Sequence, residues 1–317
     1  MSATARRAGL GLVLLVLIAA PFLVGTYTIE MLARILVFAL LAMSVNLLTG
    51  VTGLPTLGQS AYFGVGAYTG AIVATEVSDI GIVQLVLAAT LGAVVALPTG
   101  WVAVRARGVA FLMITLAIGE IAYSAAVQWE DVTRGTDGYS GIPAVVPLPG
   151  MAPLELEGLV YFYVLAVFLL LFVAVHLLVS SSFGLALRGI RDNEARMRAV
   201  GYPTTAFALA GYCAAGALAA AAGALYVSVQ RFVSPSDAGF EIAALALLAV
   251  IVGGVGSMWG ACLGAAVVIL TEDYLGGYVA GRSTLLLGIL FVVAVYLLPR
   301  GIAGVRRWRP ARAEAKA

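Results

Sequence analysis

The chain has 317 residues, of which 62% are hydrophobic and only 11% charged, and its mean hydropathy is +1.06. A soluble domain carries about 25% charged residues to face water, so this composition excludes a water-exposed globule and points to a helical bundle in lipid. With a net charge of +2, no nucleic-acid partner is expected. Cys213 and Cys262 both sit in apolar runs, so neither a disulfide nor, with the lone histidine His176, a metal site is expected, and no cofactor is called for.

In chain order, Arg6 and Arg7 precede an apolar run over 8–24. The run is longer than a signal-peptide core and no A-x-A cleavage pattern follows, so it reads as the first membrane span. Apolar runs then recur, and the pattern predicts an all-α polytopic transmembrane bundle of about ten spans. They fall at 9–24, 31–48, 59–75, 80–104, 109–129, 160–179, 205–229, 242–255, 260–271 and 285–298. The third, eighth and ninth are short and Gly-rich, the mark of tilted, broken or re-entrant segments.

Charge placement orients the bundle. With the N-terminus in the cytoplasm and spans alternating, the inner segments hold fourteen of the 18 basic residues. They are Arg6 and Arg7, Arg105 and Arg107, Arg188, Arg191, Arg196 and Arg198, and the tail residues Arg300, Arg306, Arg307, Arg309, Arg312 and Lys316. Arg34, Arg134, Arg231 and Arg282 fall outside. The positive-inside rule therefore gives an N-in/C-in topology.

Two polar stretches are longer than turns. Residues 130–158 form the outer one, with a Gly- and Pro-rich run at 134–143 that predicts an ordered loop with tight turns. Residues 180–204 form the inner one. Ser180–Ser182 are placed to cap a helix, Leu185, Leu187, Ile190 and Met197 offer an apolar stripe, and Gly201 with Pro203 stops it. A basic amphipathic helix at the cytoplasmic face follows, serving either as a lipid-surface anchor or as a docking element. Residues 300–317 form a basic cytoplasmic tail.

The only lysine is Lys316, so no P-loop exists to hold nucleotide phosphates. The glycines at 64, 66 and 70 and at 254, 256 and 260 lack dinucleotide spacing and read as close-packing helix faces, with Gly256, Gly260 and Gly264 at intervals of four. Asn46, Gln59 and Glu120 are polar groups in or beside spans, and Glu241 opens the eighth. Each lines a solute path or pins the bundle by hydrogen bonding. Glu272 and Asp273 lie at an outer span end, where solvation accounts for them.

The runs at 46–53, 57–59 and 63–68, then 116–120, 135–143 and 182–194 with Gly201, and later 223–226, 234–235, 253–257 and 299–301, resemble in this order the LivM family of branched-chain amino acid ABC transporter permeases. The resemblance covers about residues 44–304. It implies a permease paired with a second, related permease in a heterodimer, two cytoplasmic ABC ATPases and an extracytoplasmic solute-binding protein, in the cell inner membrane. It also implies that residues 183–201 couple to the ATPase, with Gly184, Arg188, Arg191, Asp192, Asn193, Glu194 and Gly201 as the residues concerned. Where the family often has Gln-Leu-Ser and then His around Leu57-Gly58, this chain has Leu54-Pro55-Thr56 and Gln59, and Ala261 stands where a proline is common. These departures bear on the solute, since relatives move urea, amides or other small acids. The rival reading is an ion-coupled secondary transporter, which needs paired acidic and basic groups inside its spans. No enzymatic constellation is present in the sequence.

Overall fold

A computed structural model of the chain describes residues 17–21, 24–275, 288 and 301–304. Most of the expected first and last spans, Arg6, Arg7, Arg282 and Arg300, and the tail beyond 304 lie outside the described residues. Within them the fold is helical, and the β structure comprises two isolated bridges, Ile80 with Val146 and Tyr139 with Val233.

Nine helices carry the argument. They are α1 (Thr26–Asn46), α2 (Gln59–Ile72), α3 (Gly81–Ala103), α4 (Val109–Gln128), α5 (Glu157–Ser180), α6 (Ser182–Ala199), α7 (Thr204–Gln230), α8 (Phe240–Gly253) and α9 (Met258–Leu270). Among the described residues five helical segments are long and apolar enough to cross a membrane: Thr26–Thr52, Gly81–Ala103, Val109–Gln128, Glu157–Ser180 and Thr204–Gln230. In lipid only such internally hydrogen-bonded segments satisfy their own backbone.

The buried axis is α1 with α7. Every residue from 35 to 48 is buried, and α7 packs most extensively against α2 and α3. Small residues make that approach possible, because helices in lipid gain from close van der Waals contact rather than from a hydrophobic drive. A Cβ on Gly66 would meet the backbone of Ala220, and one on Gly223 would meet Phe63 O. One on Gly92 would run into Ala220 and Gly216. The packing role expected for Gly66 and Gly70 is thus realised in the α2–α7 contact, where Gly70 faces Ala224. The 256–260–264 stripe is not one face. Gly256 lies in the turn between α8 and α9 at φ +84°, while Gly264 packs on Ala249 O of α8.

The ends of the helices gather into two groups. At one end are the α3–α4 turn, the α6 helix, the π-helical turn Leu47–Thr52 that extends α1, and the α8–α9 turn. Arg107 pairs with Glu194 at 2.7 Å, and Gly301 packs on Gly254. At the other end Tyr139 N donates to Val233 O at 2.7 Å, and the Tyr139 hydroxyl meets Thr75 Oγ1 at 2.8 Å. There too Gly81 N donates to Val146 O at 2.7 Å and Arg231 Nη2 donates to Leu154 O at 3.2 Å.

Two expectations change here. Asp273 is not simply solvated, because Arg34 Nη1 of α1 pairs with its Oδ1 at 3.1 Å with both side chains mostly buried. The eighth span is short because its beginning is deep. After Val233, the turn Pro235–Ala238 runs inward until Ala238 meets Gly64 of α2. Gly64 is five residues from the start of α2, and Thr75, at the Tyr139 end, lies eleven residues further on. From that depth the 14 residues of α8, about 21 Å of helix, complete the distance to the α8–α9 turn.

Candidate coupling joint and translocation path

The inner helix α6 forms as a basic amphipathic element, but its details depart from the sequence expectation. The Ser180 and Ser181 hydroxyls bond backward, to His176 O at 2.8 Å and to Leu178 O at 2.7 Å. They satisfy the carbonyls that α5 leaves free at its end instead of capping α6. Arg188 Nη2 adds a bond to Val179 O at 2.8 Å, and a Cβ on Gly184 would strike that same Val179 backbone. Gly184 and Arg188 therefore fix the corner between α5 and α6.

The inward face of α6 is Gly184, Ala186, Leu187 and Ile190. Leu185, expected in the stripe, is 67% exposed, and Met197 folds back over Gly189. Leu185 is two residues from Leu187 and so on the opposite side of the helix, while a break at Asn193, with φ of −160° and ψ of 93°, interrupts the helix before Met197. Arg196 N donates to Asn193 Oδ1 at 2.9 Å, so the side chain caps a new helical turn and the register shifts.

Arg191 reaches from α6 into the bundle. Its Nη1 donates to Gly50 O at 2.6 Å, within the π-helical turn Leu47–Thr52. Its Nη2 pairs with Asp192 at 3.0 Å. The side-chain stem lies over Gly53, which has φ +78° and no room for a Cβ. On the far side of the same turn, Gly256 N donates to Asn46 Oδ1 at 2.8 Å, and a Cβ on Gly50 would meet both Asn46 and Gly256. Asn46, Gly50, Gly53, Arg191 and Gly256 thus form one joint linking α6, the end of α1 and the α8–α9 turn. Such π-helical turns are frequent at functional sites.

Glu194 is a second fastening. Its Oε1 accepts from Arg107 Nη2 at 2.7 Å, from Arg198 Nη2 at 2.9 Å and from Thr204 Oγ1 at 3.1 Å. The bond from Arg107, with smaller help from the other charges, holds its carboxyl below the usual 4.5. Glu194 ties α6 to the α3–α4 turn and the start of α7. Gly201 follows at φ +97° with open space around it, so backbone conformation and not crowding asks for glycine.

The expected path residues do not converge. Asn46 belongs to the joint above. Gln59 is 1% exposed, with neither amide atom hydrogen-bonded, and Ser60 Oγ beside it is also unpartnered. They open α2, where Leu57 N donates to Thr115 Oγ1 of α4 at 3.2 Å. Glu120 is exposed on the outer face of α4.

Sequence reasoning missed Arg107, whose partner is 87 positions away, and the buried contacts of Tyr62 with Tyr212 at 2.9 Å and Thr99 at 2.7 Å. It also missed Asp237, which accepts from Ser234 N at 2.8 Å and from the Tyr226 hydroxyl at 3.2 Å. The Ser-Pro-Ser-Asp run at 234–237 carries the capping-box spacing that signals the Asp237 contact.

Residues 27–295 match the family described as "Branched-chain amino acid transport system / permease component". The chain is 27% identical to the high-affinity branched-chain amino acid transport system permease protein LivM of Salmonella typhimurium, over 93% of this chain and 74% of that one. To the LivM of Escherichia coli K12 it is 26% identical over the same shares. To a probable branched-chain amino acid transport permease protein LivH of Methanocaldococcus jannaschii it is 27% identical, over 84% of this chain and 88% of that one. No solved structure matches.

Proposed function

The chain belongs to the permease-component family of branched-chain amino acid transport systems, and from that premise we propose that it is one transmembrane subunit of an ATP-driven importer for branched-chain amino acids or similar small solutes. It spans the cell inner membrane in about ten passages, with both termini, 180–204 and the 300–317 tail in the cytoplasm and 130–158 outside. It is not itself an enzyme. It pairs with a second related permease, two cytoplasmic ATPases and an extracytoplasmic binding protein, and alternating access is biased by nucleotide events in the partners.

Support for the topology comes from the way the ends gather. Arg105, Arg107, Arg188, Arg191, Arg196 and Arg198 sit at one end, and Arg34, Arg134 and Arg231 sit at the other. Alternating spans and the positive-inside rule ask for that separation.

The observation that carries the coupling reading is the joint at Arg191. A helix that lay on lipid as an anchor has no need to grip the core. Here α6 holds the turn ending α1 and, through Asn46 and Gly256, the turn between α8 and α9. A partner that shifts α6 therefore shifts the ends of three helices.

The contacts also support a division of roles within α6. Arg188, Arg191 and Glu194 hold α6 in place, Arg191 with its side chain still partly exposed, whereas the exposed Leu185, Asp192 and Arg196 form the side that an ATPase groove meets. Arg191→Ala should leave the ATPase bound, because the Arg191 guanidinium is engaged with Gly50 O of the bundle, while binding-protein-stimulated ATP hydrolysis in the assembled complex drops about tenfold, as expected for loss of one charge-assisted hydrogen bond. Arg191→Lys should rescue only in part, since an ammonium cannot serve Gly50 O and Asp192 as a fork does. Full stimulation in Arg191→Ala would remove the joint from the mechanism.

A further inference from the structure

Glu120 is the anomaly of the outer surface. The buried positions of α4 are Phe111, Thr115, Gly119 and Ala126, with Thr115 and Gly119 against the start of α2 and Phe111 against Tyr212 of α7, and Glu120 lies on the other side, exposed. It stands eight residues from the nearer end of the helix, about 12 Å along the axis, deeper than a glutamate side chain spans to reach the interface. No cation among the described residues pairs with it. A carboxylate at that depth against lipid costs about 3 kcal/mol or more.

The other outward faces behave differently. On α3, Val86, Leu97 and Trp101 are exposed, and on α5, Leu170, Val173 and Leu177. Those faces suit lipid. The α4 face carries Glu120 with Ser124 and Gln128 one and two turns on, and Gln128 Nε2 donates to Ser124 Oγ at 2.8 Å. Ala117, Ile121 and Met113 flank the carboxylate on the same side, all three exposed.

A polar line beside an apolar strip is the surface an aliphatic amino acid needs. We propose that this face of α4 lines the water-filled route of the assembled importer, and that the Glu120 carboxylate receives the ammonium group of the passing solute while Ile121 and Met113 meet its branched side chain. The proposal rests on the importer reading and narrows its solute to molecules bearing a cationic amine, excluding urea and simple acids. An ammonium–carboxylate contact in a low-dielectric passage is charge-assisted and directional.

The test uses the full complex with its partners in proteoliposomes. In a Ser124→Cys complex, a cationic thiol reagent should label about tenfold faster than an anionic one of equal size, through the charge one turn away. Leucine should slow that labelling, and adding Glu120→Gln should abolish the preference. Separately, Glu120→Gln should lower leucine uptake about tenfold with the second permease still co-purifying, and Glu120→Asp should restore part of it. Unlabelled Ser124→Cys, or leucine uptake unaffected by Glu120→Gln, overturns the assignment. Loss of the second permease in Glu120→Gln also overturns it, because Glu120 would then pair with a cation of that subunit. If the wild-type complex moves urea or an amide and no amino acid, the importer's solute class fails instead, and the labelling preference still reports whether the face is wet.

Discussion

Glu194 has a structural role that its place in the sequence does not reveal. In the sequence it lies beside an apolar stripe, as a rim charge for a partner would. In the structure its Oε1 accepts three bonds from the chain itself. The lowered folded-state pKa sets the pH dependence of that fastening. Such a carboxylate contributes stability above its unfolded value near 4.5, and the contribution disappears as pH falls through the lower folded value. Amide exchange protection over 196–204 should therefore hold constant from neutral pH down to about 5 and decline below 4.5. In Glu194→Gln it should begin lower and change less over that range. Equal acid sensitivity in both proteins would place the titrating group elsewhere. The sequence offers no view of this network, because Arg107 and Thr204 come to Glu194 through packing of α3, α4 and α7, not through local spacing.

At the scale of elements, apolar runs predicted the helices well wherever membrane depth decides the answer. The fourth and fifth expected spans, 80–104 and 109–129, became Gly81–Ala103 and Val109–Gln128, since lipid leaves a backbone no alternative to helix. The interior of α6 was less legible. Leu185 stands two residues from Leu187, on the opposite side of a helix with 3.6 residues per turn, and the break at Asn193 separates Met197 from the Leu187–Ile190 face. The start of α8 was hidden for a similar reason. A turn that dips along α2 is marked by contacts with Gly64, not by hydropathy.

The corrected face of α6 gives a sharper expectation than the original stripe. Leu185→Glu and Arg196→Glu together should release the ATPase from the detergent-solubilised complex while the permease still inserts, because both exposed side chains lie away from the core. Retention of the ATPase in that double variant would leave the lipid-anchor reading of α6 in force. Close helix packing predicts its own failure. Gly66→Val forces a side chain into the Ala220 backbone and should cost about 3 kcal/mol, read as a lower denaturation midpoint of the purified complex. An unchanged midpoint would mean that α2 and α7 are further apart than the structure has them.

For the molecule as a whole, the proposed orientation rests on charge and on which ends meet. Fourteen of the 18 basic residues fall on one side of an alternating layout. Four described contacts join residues that this layout puts on the same side: Arg107 with Glu194, Asn46 with Gly256, Tyr139 with Val233, and Arg34 with Asp273. Arg105 stacks over Trp101 at 4.3 Å, an aromatic and a cation at one span end of the kind that marks a membrane boundary. On the proposed reading the chain, which has no P-loop lysine, draws its energy from partners, so reconstituted alone it should neither hydrolyse ATP nor accumulate leucine. Gradient-driven uptake by the lone subunit would favour the ion-coupled rival. The orientation itself is tested with single cysteines at Arg134 and Arg196, in a background where Cys213 and Cys262 are replaced. A membrane-impermeant maleimide should label the 134 site in intact spheroplasts and the 196 site only after permeabilisation. The Arg134 position is the more demanding of the two, because its guanidinium lies 4.0 Å over the Tyr139 ring in a loop bound to Val233. If both sites label from one face, the spans between them do not number an odd count. The Arg107–Glu194 and Tyr139–Val233 contacts would then have to be joined across a different set of crossings.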